Sequence, residues 1–318
     1  MRVGVVGAGL MGSLHARLLA SAVPGAEPVA IADPAPAPVA DELGIPRRED
    51  PLALIADPGV DAVVIASPVD THEPFVHACL QAGKRVLCEK PLAPSAAAAR
   101  RIAEADAAGL VTVGFMRRFD PGYLDLKARL DAGAIGAPLL MHCAHRNPSV
   151  HPFFDTRMII TDSAVHEIDA ARWLLDDEIA AVRALAPRST RHAREGLRDP
   201  LLLVLETAGG RLVDVEAFVS AGFAYDIRCE VVGEDGTLEL LPPATTSLRT
   251  AHTASQPIPP SFQERFRDAY VNELRAWVTG AGGATAWDGY AATAVAEAAL
   301  VALETRRAVE VKLPRTGD

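Results

Sequence analysis

The chain has 318 residues, a formal net charge of −10 and four cysteines. At about 150 residues per domain, that length provides for two domains, and 49% hydrophobic with 23% charged residues describes a folded chain rather than a disordered one. The acidic balance without a basic run gives no electrostatic footprint for nucleic acid, no apolar run approaches the ~20 residues of a membrane span, and the absence of a CxxC pair argues against a zinc knuckle or disulfide framework and fits a reducing cytosol.

The first third alternates short apolar strands with helices. Strands are expected at Arg2–Val6, Pro28–Ala32, Asp61–Ser67, Lys84–Glu89 and Leu110–Phe115, and helices at Met11–Ala20, Glu73–Ala82 and Ser95–Ala108. Such alternation describes a parallel sheet covered on both faces. A signal peptide competes for the first residues, but the spacing of Gly7, Gly9 and Gly12 is more specific to a buried first strand and its turn.

After Asp120 the rhythm changes. A helix at Gly122–Ala132, a strand at Pro138–Arg146 and a helix at Asp162–Leu175 lead into two antiparallel hairpins, Leu201–Thr207 with Arg211–Val219 and Ile227–Val232 with Thr237–Leu241. Pro187–Pro200 and Pro242–Pro260 read as long polar loops, helices near Phe262–Thr279 and Asp288–Arg306 follow, and Ala308–Leu313 is the last strand. The fold class is therefore α/β. An N-terminal Rossmann doubly wound parallel sheet, residues 1–120, precedes an α+β domain, residues 121–318, with a large, mostly antiparallel open sheet.

Gly7-Ala8-Gly9-Leu10-Met11-Gly12 is a GxGxxG that follows a strand and opens a helix. The three glycines serve a tight turn, close approach to a pyrophosphate, and helix–strand packing, while the helix N-terminus supplies N–H groups and a partial positive charge. Asp33, ending the second strand, suits the ribose hydroxyls and repels a 2′-phosphate. Arg47 and Arg48 lie far along the chain from it, so NAD is expected over NADP. A flavin site or a purely structural glycine turn is the alternative. Ser67 ends the third strand, at the ligand-binding edge of such a sheet.

Lysine occurs only at Lys84, Lys90, Lys127 and Lys312. Lys90, in Cys88-Glu89-Lys90-Pro91, ends a parallel strand, where it can donate to a substrate oxygen or simply be a solvated lysine. Asp162 and His166, four apart on an expected helix, share a face and suit an imidazole base held by a carboxylate; a helix cap at Thr161 or Asp162 is the structural alternative. His142, His145, His151 and His166 raise a metal reading. However, His142 and His145 are three apart on a strand and face opposite sides, and His166-Glu167 lacks the second histidine of HExxH. No metal is expected.

These segments resemble the family of glucose–fructose oxidoreductase, inositol dehydrogenase and rhizopine-catabolism proteins (Gfo/Idh/MocA) along nearly the whole chain. The general pattern is the GxGxxG followed by Cys88-Glu89-Lys90-Pro91-Leu92. Val113–Asp120, His142–Pro148, Asp162–Asp169, Tyr225–Gly236 and Thr285–Tyr290 are similar to the inositol-oxidising branch. The resemblance implies NAD as cofactor, held by Gly7, Gly9, Leu10, Met11, Gly12, Asp33, Ser67, Glu89 and Lys90. It also implies catalysis by Lys90, Asp162 and His166, and a cyclic polyol or sugar held by Met116, Arg117, His145, Asn147 and Tyr225. The implied reaction is oxidation of a secondary hydroxyl, myo-inositol to its 2-keto form, in a cytoplasmic homotetramer assembled through the open sheet. Scyllo-inositol, glucose or another pyranose is an alternative substrate; a non-catalytic NAD-binding regulator and a metal-dependent hydrolase are readings of other classes. A Lys-Pro bond that is often cis is a further family feature. Pro34, Pro36 and Pro38 after Asp33 depart from the family pattern, and His151–Ile160 matches it less well.

Overall fold

The computed structural model describes residues 1–242 and 246–314. Strands β1 (Arg2–Val6), β2 (Glu27–Ala32), β3 (Arg47–Arg48), β4 (Ala62–Ile65), β5 (Arg85–Glu89) and β6 (Val111–Gly114) are parallel, in the order β6-β5-β4-β1-β2-β3. The connections run through helices α1 (Leu10–Ala22), α2 (Pro38–Leu43), α3 (Pro51–Ala56), α4 (His72–Gln81) and α5 (Ala96–Ala105). Val3, Val5, Val63, Val64, Ile65, Val86 and Leu87 are all buried. That unbroken apolar run is what a sheet covered on both faces requires.

The sequence reading had no element between Asp33 and Asp61, where α2, β3 and α3 lie. Each of these helices starts on a proline, whose missing N–H is not needed in a first turn. Asp50 caps α3 by accepting from the Leu52 N–H at 2.9 Å. Gly44 ends α2 in the left-handed conformation, with φ 66°.

Two compact units divide the chain, Met1–Asp120 with Asp268–Thr293, and Pro121–Arg267 with the chain from Ala294 onward. The expected second domain, residues 121–318, therefore gives up an internal segment to the first unit. That segment carries α10 (Arg267–Thr279), β15 (Ala284–Thr285) and the start of α11 (Ala286–Thr305). β15 pairs antiparallel with the free edge of β6, and Arg275 donates to the Ala22 carbonyl at the end of α1, at 2.9 and 3.1 Å. Thr285 and Asp288 cap α11 reciprocally, and Asp288 also pairs with Arg118 at 3.0 Å.

The second unit opens with α6 (Pro121–Asp131) and is built on strands β7 (Pro138–Arg146), β8 (Ile179–Leu185), β9 (Leu201–Thr207), β10 (Leu212–Phe218), β11 (Asp226–Gly233) and β12 (Thr237–Glu239), with a short last strand at Val309–Glu310. The order β12-β11-β7-β10-β9-β8 is antiparallel throughout except for the parallel pair β7–β10. Leu201, Leu203, Leu205, Val213, Val215 and Ala217 are buried and alternate with partly exposed neighbours, the pattern of a sheet with one solvated face. The helix expected from Asp162 starts earlier. A turn of α7 (Thr156–Met158), capped by Asp155 accepting from Met158 N–H, runs through a π-helical segment, Ile159–Ala164, into α8 (Val165–Leu175). Asp162 is thus inside a helical run and is not its cap. Of the loop expected at Pro242–Pro260, β13 (Leu248–Thr250) and β14 (Thr253–Ser255) form a small hairpin that is followed by the short helix α9 (Phe262–Arg265), and residues 243–245 lie outside the described part.

Two glycines set how closely α1 approaches the first sheet. A Cβ on Gly7, whose φ is 93°, would lie 2.6 Å from the Ala66 carbonyl oxygen beyond β4, and one on Gly12 would lie 1.9 Å from the Gly7 carbonyl oxygen. Gly12→Ala should therefore cost about 2–3 kcal/mol of unfolding free energy, the upper range for overpacking, because the neighbour is backbone that cannot rotate away. A urea midpoint equal to that of the wild type would contradict this packing.

Candidate active site

The first unit contributes a dinucleotide-shaped turn. Gly9 opens α1 with no side-chain cap, and a Cβ there would meet nothing within 4 Å, so the first-turn N–H groups border open space. That cradle fits a pyrophosphate. Leu10 is exposed and Met11 half-buried along the same turn. Asp33 Oδ2 accepts from the Ala8 N–H at 2.7 Å and Oδ1 from the Ala35 N–H at 2.8 Å. A carboxylate offers about four lone-pair directions, so two are left for ribose hydroxyls.

Arg47 and Arg48, expected to be remote from Asp33, are its spatial neighbours, because β3 pairs with β2 and places Arg48 opposite Ala32. Both guanidiniums are engaged, Arg47 on backbone carbonyls of the turn after β2 and Arg48 on Asp57. The expectation of NAD over NADP accordingly rests on Asp33 and on this engagement, not on distance along the chain.

At the carboxyl ends of β4 and β5, backbone and side chains interlock. Ser67 Oγ lies 2.7 Å from Thr71 Oγ1. His72, buried at the start of α4, has Nε2 2.9 Å from the Ser67 carbonyl oxygen and Nδ1 3.0 Å from that of Pro91, so its one N–H, when the ring is neutral, donates to one of these two strand-end loops. The Lys90–Pro91 bond is cis. Glu89 is buried, with Oε1 2.7 Å from Nε2 of the buried His15 and Oε2 accepting the Lys90 N–H at 3.2 Å. Its carboxylate thus faces the core beneath Lys90. Met116 and Arg117 are buried in a 3₁₀ turn that follows β6.

The second unit gathers His145, Asn147, His166 and Tyr225. His145 ends the inward row of β7, and both oxygens of the fully buried Glu167 lie 3.0 Å from its Nδ1. His145 Nε2 lies 3.1 Å from Asn147 Oδ1. The His166 ring stacks with that of His145, centroids 6.4 Å apart, and the Tyr225 ring meets the His145 ring edge-on at 5.9 Å. Asp162 sits one turn before His166, in the π-helical segment, where i→i+5 bonding widens the helix.

Two of these residues escaped the sequence reading. Glu167 was weighed only as part of a failed zinc motif. Adjacent helix positions diverge, so Glu167 reaches the Nδ1 edge of His145 while His166 lies against its ring face. His72 follows a Ser-Pro turn, and nothing in its spacing announces that both ring nitrogens will find carbonyls. His142, by contrast, lies on the outer face of β7 and pairs with Asp214, on the opposite side from His145. Among the described residues no group of three or more histidine, cysteine or acidic side chains is placed to hold a metal ion.

Residues 1–115 match the model of an oxidoreductase family with an NAD-binding Rossmann fold, and residues 123–239 match the GFO/IDH/MocA C-terminal domain. The chain is 51% identical to inositol 2-dehydrogenase 1 of Saccharopolyspora erythraea, over 98% of this chain and 97% of that protein. It superposes on myo-inositol dehydrogenase from Lactobacillus casei, solved with NAD(H) and myo-inositol, with a TM-score of 0.94 and 36% identity over 99% of this chain and 98% of that one. Scyllo-inositol dehydrogenase from the same organism, with NAD(H) and scyllo-inositol, gives 0.90 and 27% over 98% and 99%.

Burial pushes His72 below the ordinary imidazole range, against the smaller upward pull of the two carbonyls and Glu89. Below about pH 6.5 the unfolded chain therefore binds a proton that the folded chain does not, so this contribution is present above that pH and is lost as pH falls. In His72→Gln, the fall in urea midpoint between about pH 7.5 and about pH 5.5 should be smaller than in the wild type. An equal fall would contradict the assignment.

Proposed function

The chain belongs to the GFO/IDH/MocA oxidoreductase family, and from that membership we propose that it oxidises a secondary hydroxyl of a cyclic polyol with NAD, converting myo-inositol to its 2-keto form. The observation that carries the reading is the cluster of Asn147, His166 and Tyr225 around His145, whose Nδ1 is held by the buried Glu167. It offers a neutral polyol several donors and acceptors and no strong field. The relatives named for inositol oxidation supply the substrate. Likeness to a scyllo-inositol dehydrogenase supports that isomer as the second reading.

NAD, when bound, supplies the hydride acceptor; Gly7, Gly9, Leu10, Met11, Gly12, Asp33, Ser67 and the Glu89–Lys90 strand end hold it. His166 takes the hydroxyl proton as general base. Asp162 orients the imidazole and stabilises its charged form. The Lys90 ammonium donates to the reacting oxygen and stabilises the negative charge that develops there. His145, held by Glu167, binds the remaining hydroxyls with Met116, Arg117, Asn147 and Tyr225.

The purified protein should form NADH from NAD and myo-inositol, with slower turnover on hexoses. His166→Ala should lower kcat by about 10²–10⁴-fold, the usual worth of a general base, and leave NADH affinity unchanged. Near-wild-type turnover in that variant would remove His166 from the chemistry.

The same reading includes a cytoplasmic homotetramer. No described helix is long and apolar enough to cross a membrane. The four cysteines are buried and none forms a disulfide, and burial pushes the Cys79 thiol up to about 12. The outer face of the second sheet exposes Leu140, Leu212 and Leu185, with Leu140 paired to Leu212. Sedimentation should give a tetramer, and Leu212→Lys should shift it towards smaller species; a monomeric wild type would contradict assembly through this face.

A further inference from the structure

The turn after β2 reads Asp33-Pro34-Ala35-Pro36-Ala37-Pro38. Three of its six residues have no backbone N–H, so the segment carries more acceptors than donors. Of the donors that remain, the Asp33 N–H goes to the Arg48 carbonyl at 3.0 Å and the Ala35 N–H to the Asp33 side chain at 2.8 Å. The donors missing from the backbone come from a side chain. Arg47 Nε donates to the Asp33 carbonyl at 3.2 Å and the Ala35 carbonyl at 3.0 Å, and Nη2 donates to the Pro34 carbonyl at 2.8 Å.

Three successive carbonyls are thus gathered by one guanidinium. Only a planar fork of several N–H groups does this; an ammonium is a point donor on a flexible stem. β3 makes the reach possible by pairing Arg47 with Ile31, two residues before the turn. The remaining nitrogen, Nη1, lies 3.6 Å from the carboxylate of the exposed Glu49.

The gathered turn bears directly on Asp33. One of its two carboxylate oxygens accepts from Ala35, inside the turn, and the other from Ala8, inside the glycine loop. The aim of the carboxylate therefore depends on the turn staying closed. We propose that Arg47 is a positioning residue for the cofactor: by supplying the donors that the three prolines remove, it closes the turn and fixes the Asp33 carboxylate in the orientation that receives the ribose hydroxyls. This rests on the reading of the first unit as an NAD site. It also accounts for a basic residue beside Asp33 that does not serve a 2′-phosphate, because its donors are spent on carbonyls. Preorganisation of this kind raises affinity by lowering the ordering cost of binding.

The test is a double-mutant cycle on NADH affinity, read by isothermal titration calorimetry without polyol, with thermal midpoints measured alongside. Arg47→Ala should weaken NADH binding about tenfold, or about 1.4 kcal/mol at 25 °C, and Arg47→Lys should recover only part of that loss. In an Asp33→Ala background, adding Arg47→Ala should weaken NADH by less than about twofold, because a residue acting through Asp33 has nothing left to position. Affinity unchanged in Arg47→Ala, or an equal loss in both backgrounds, would overturn the role while leaving the NAD site in place. A wild-type protein that binds no NADH would overturn the NAD site and this role with it.

Discussion

The close approach of α1 to the first sheet is the constraint from which the rest of the site follows. Gly12 lets the helix rest on the Gly7 carbonyl, and Gly7 in turn lets the loop pass against the backbone beyond β4. With the loop so placed, the uncapped N-terminus of α1 borders open space and the Ala8 N–H meets Asp33. The end of β4 is held by the same contact. Ser67 follows it, and the buried His72 ring sits between the Ser67 and Pro91 carbonyls beside the turn that carries Lys90. Side chains on either glycine would separate these parts before any cofactor chemistry arose.

The second unit solves a different problem, that of keeping charge inside a sheet-covered core. A buried carboxylate is costly unless it is paired, and Glu167 is paired through both oxygens with His145. On the outer face of the same sheet, Arg146 holds Glu216 and Asp226, spanning β7, β10 and β11. The His145 cluster and the Arg146 ion pairs therefore lie on opposite faces of one set of strands, which the two-residue period of a strand makes available.

How far the sequence could be read depended on whether local pattern and tertiary context agreed. The glycine motif, the parallel strands and both hairpins were legible because apolar runs, turn residues and spacing coincide there. The helices begun by Pro38 and Pro51 went unread, since a proline that begins a short helix looks the same in sequence as one that prevents it. Losing α2 and β3 also put Arg47 in the wrong place, far along the chain when it is one strand away in space. The expected helix began only at Asp162, which left a cap there as the alternative reading, because the π-helical segment before α8 has no periodic signature. Asp268–Thr293 packs with the first unit for the sake of a free sheet edge, a reason that no local pattern contains.

Direct transfer of a hydride is the central claim, and an isotope tests it without reference to rates. Myo-inositol carrying deuterium on the carbon that bears the 2-hydroxyl should, on oxidation by this protein, yield NADH enriched by one deuterium, read by mass spectrometry of the isolated cofactor. Product formed with the label lost to water, or no cofactor reduced at all, would contradict hydride transfer from that carbon.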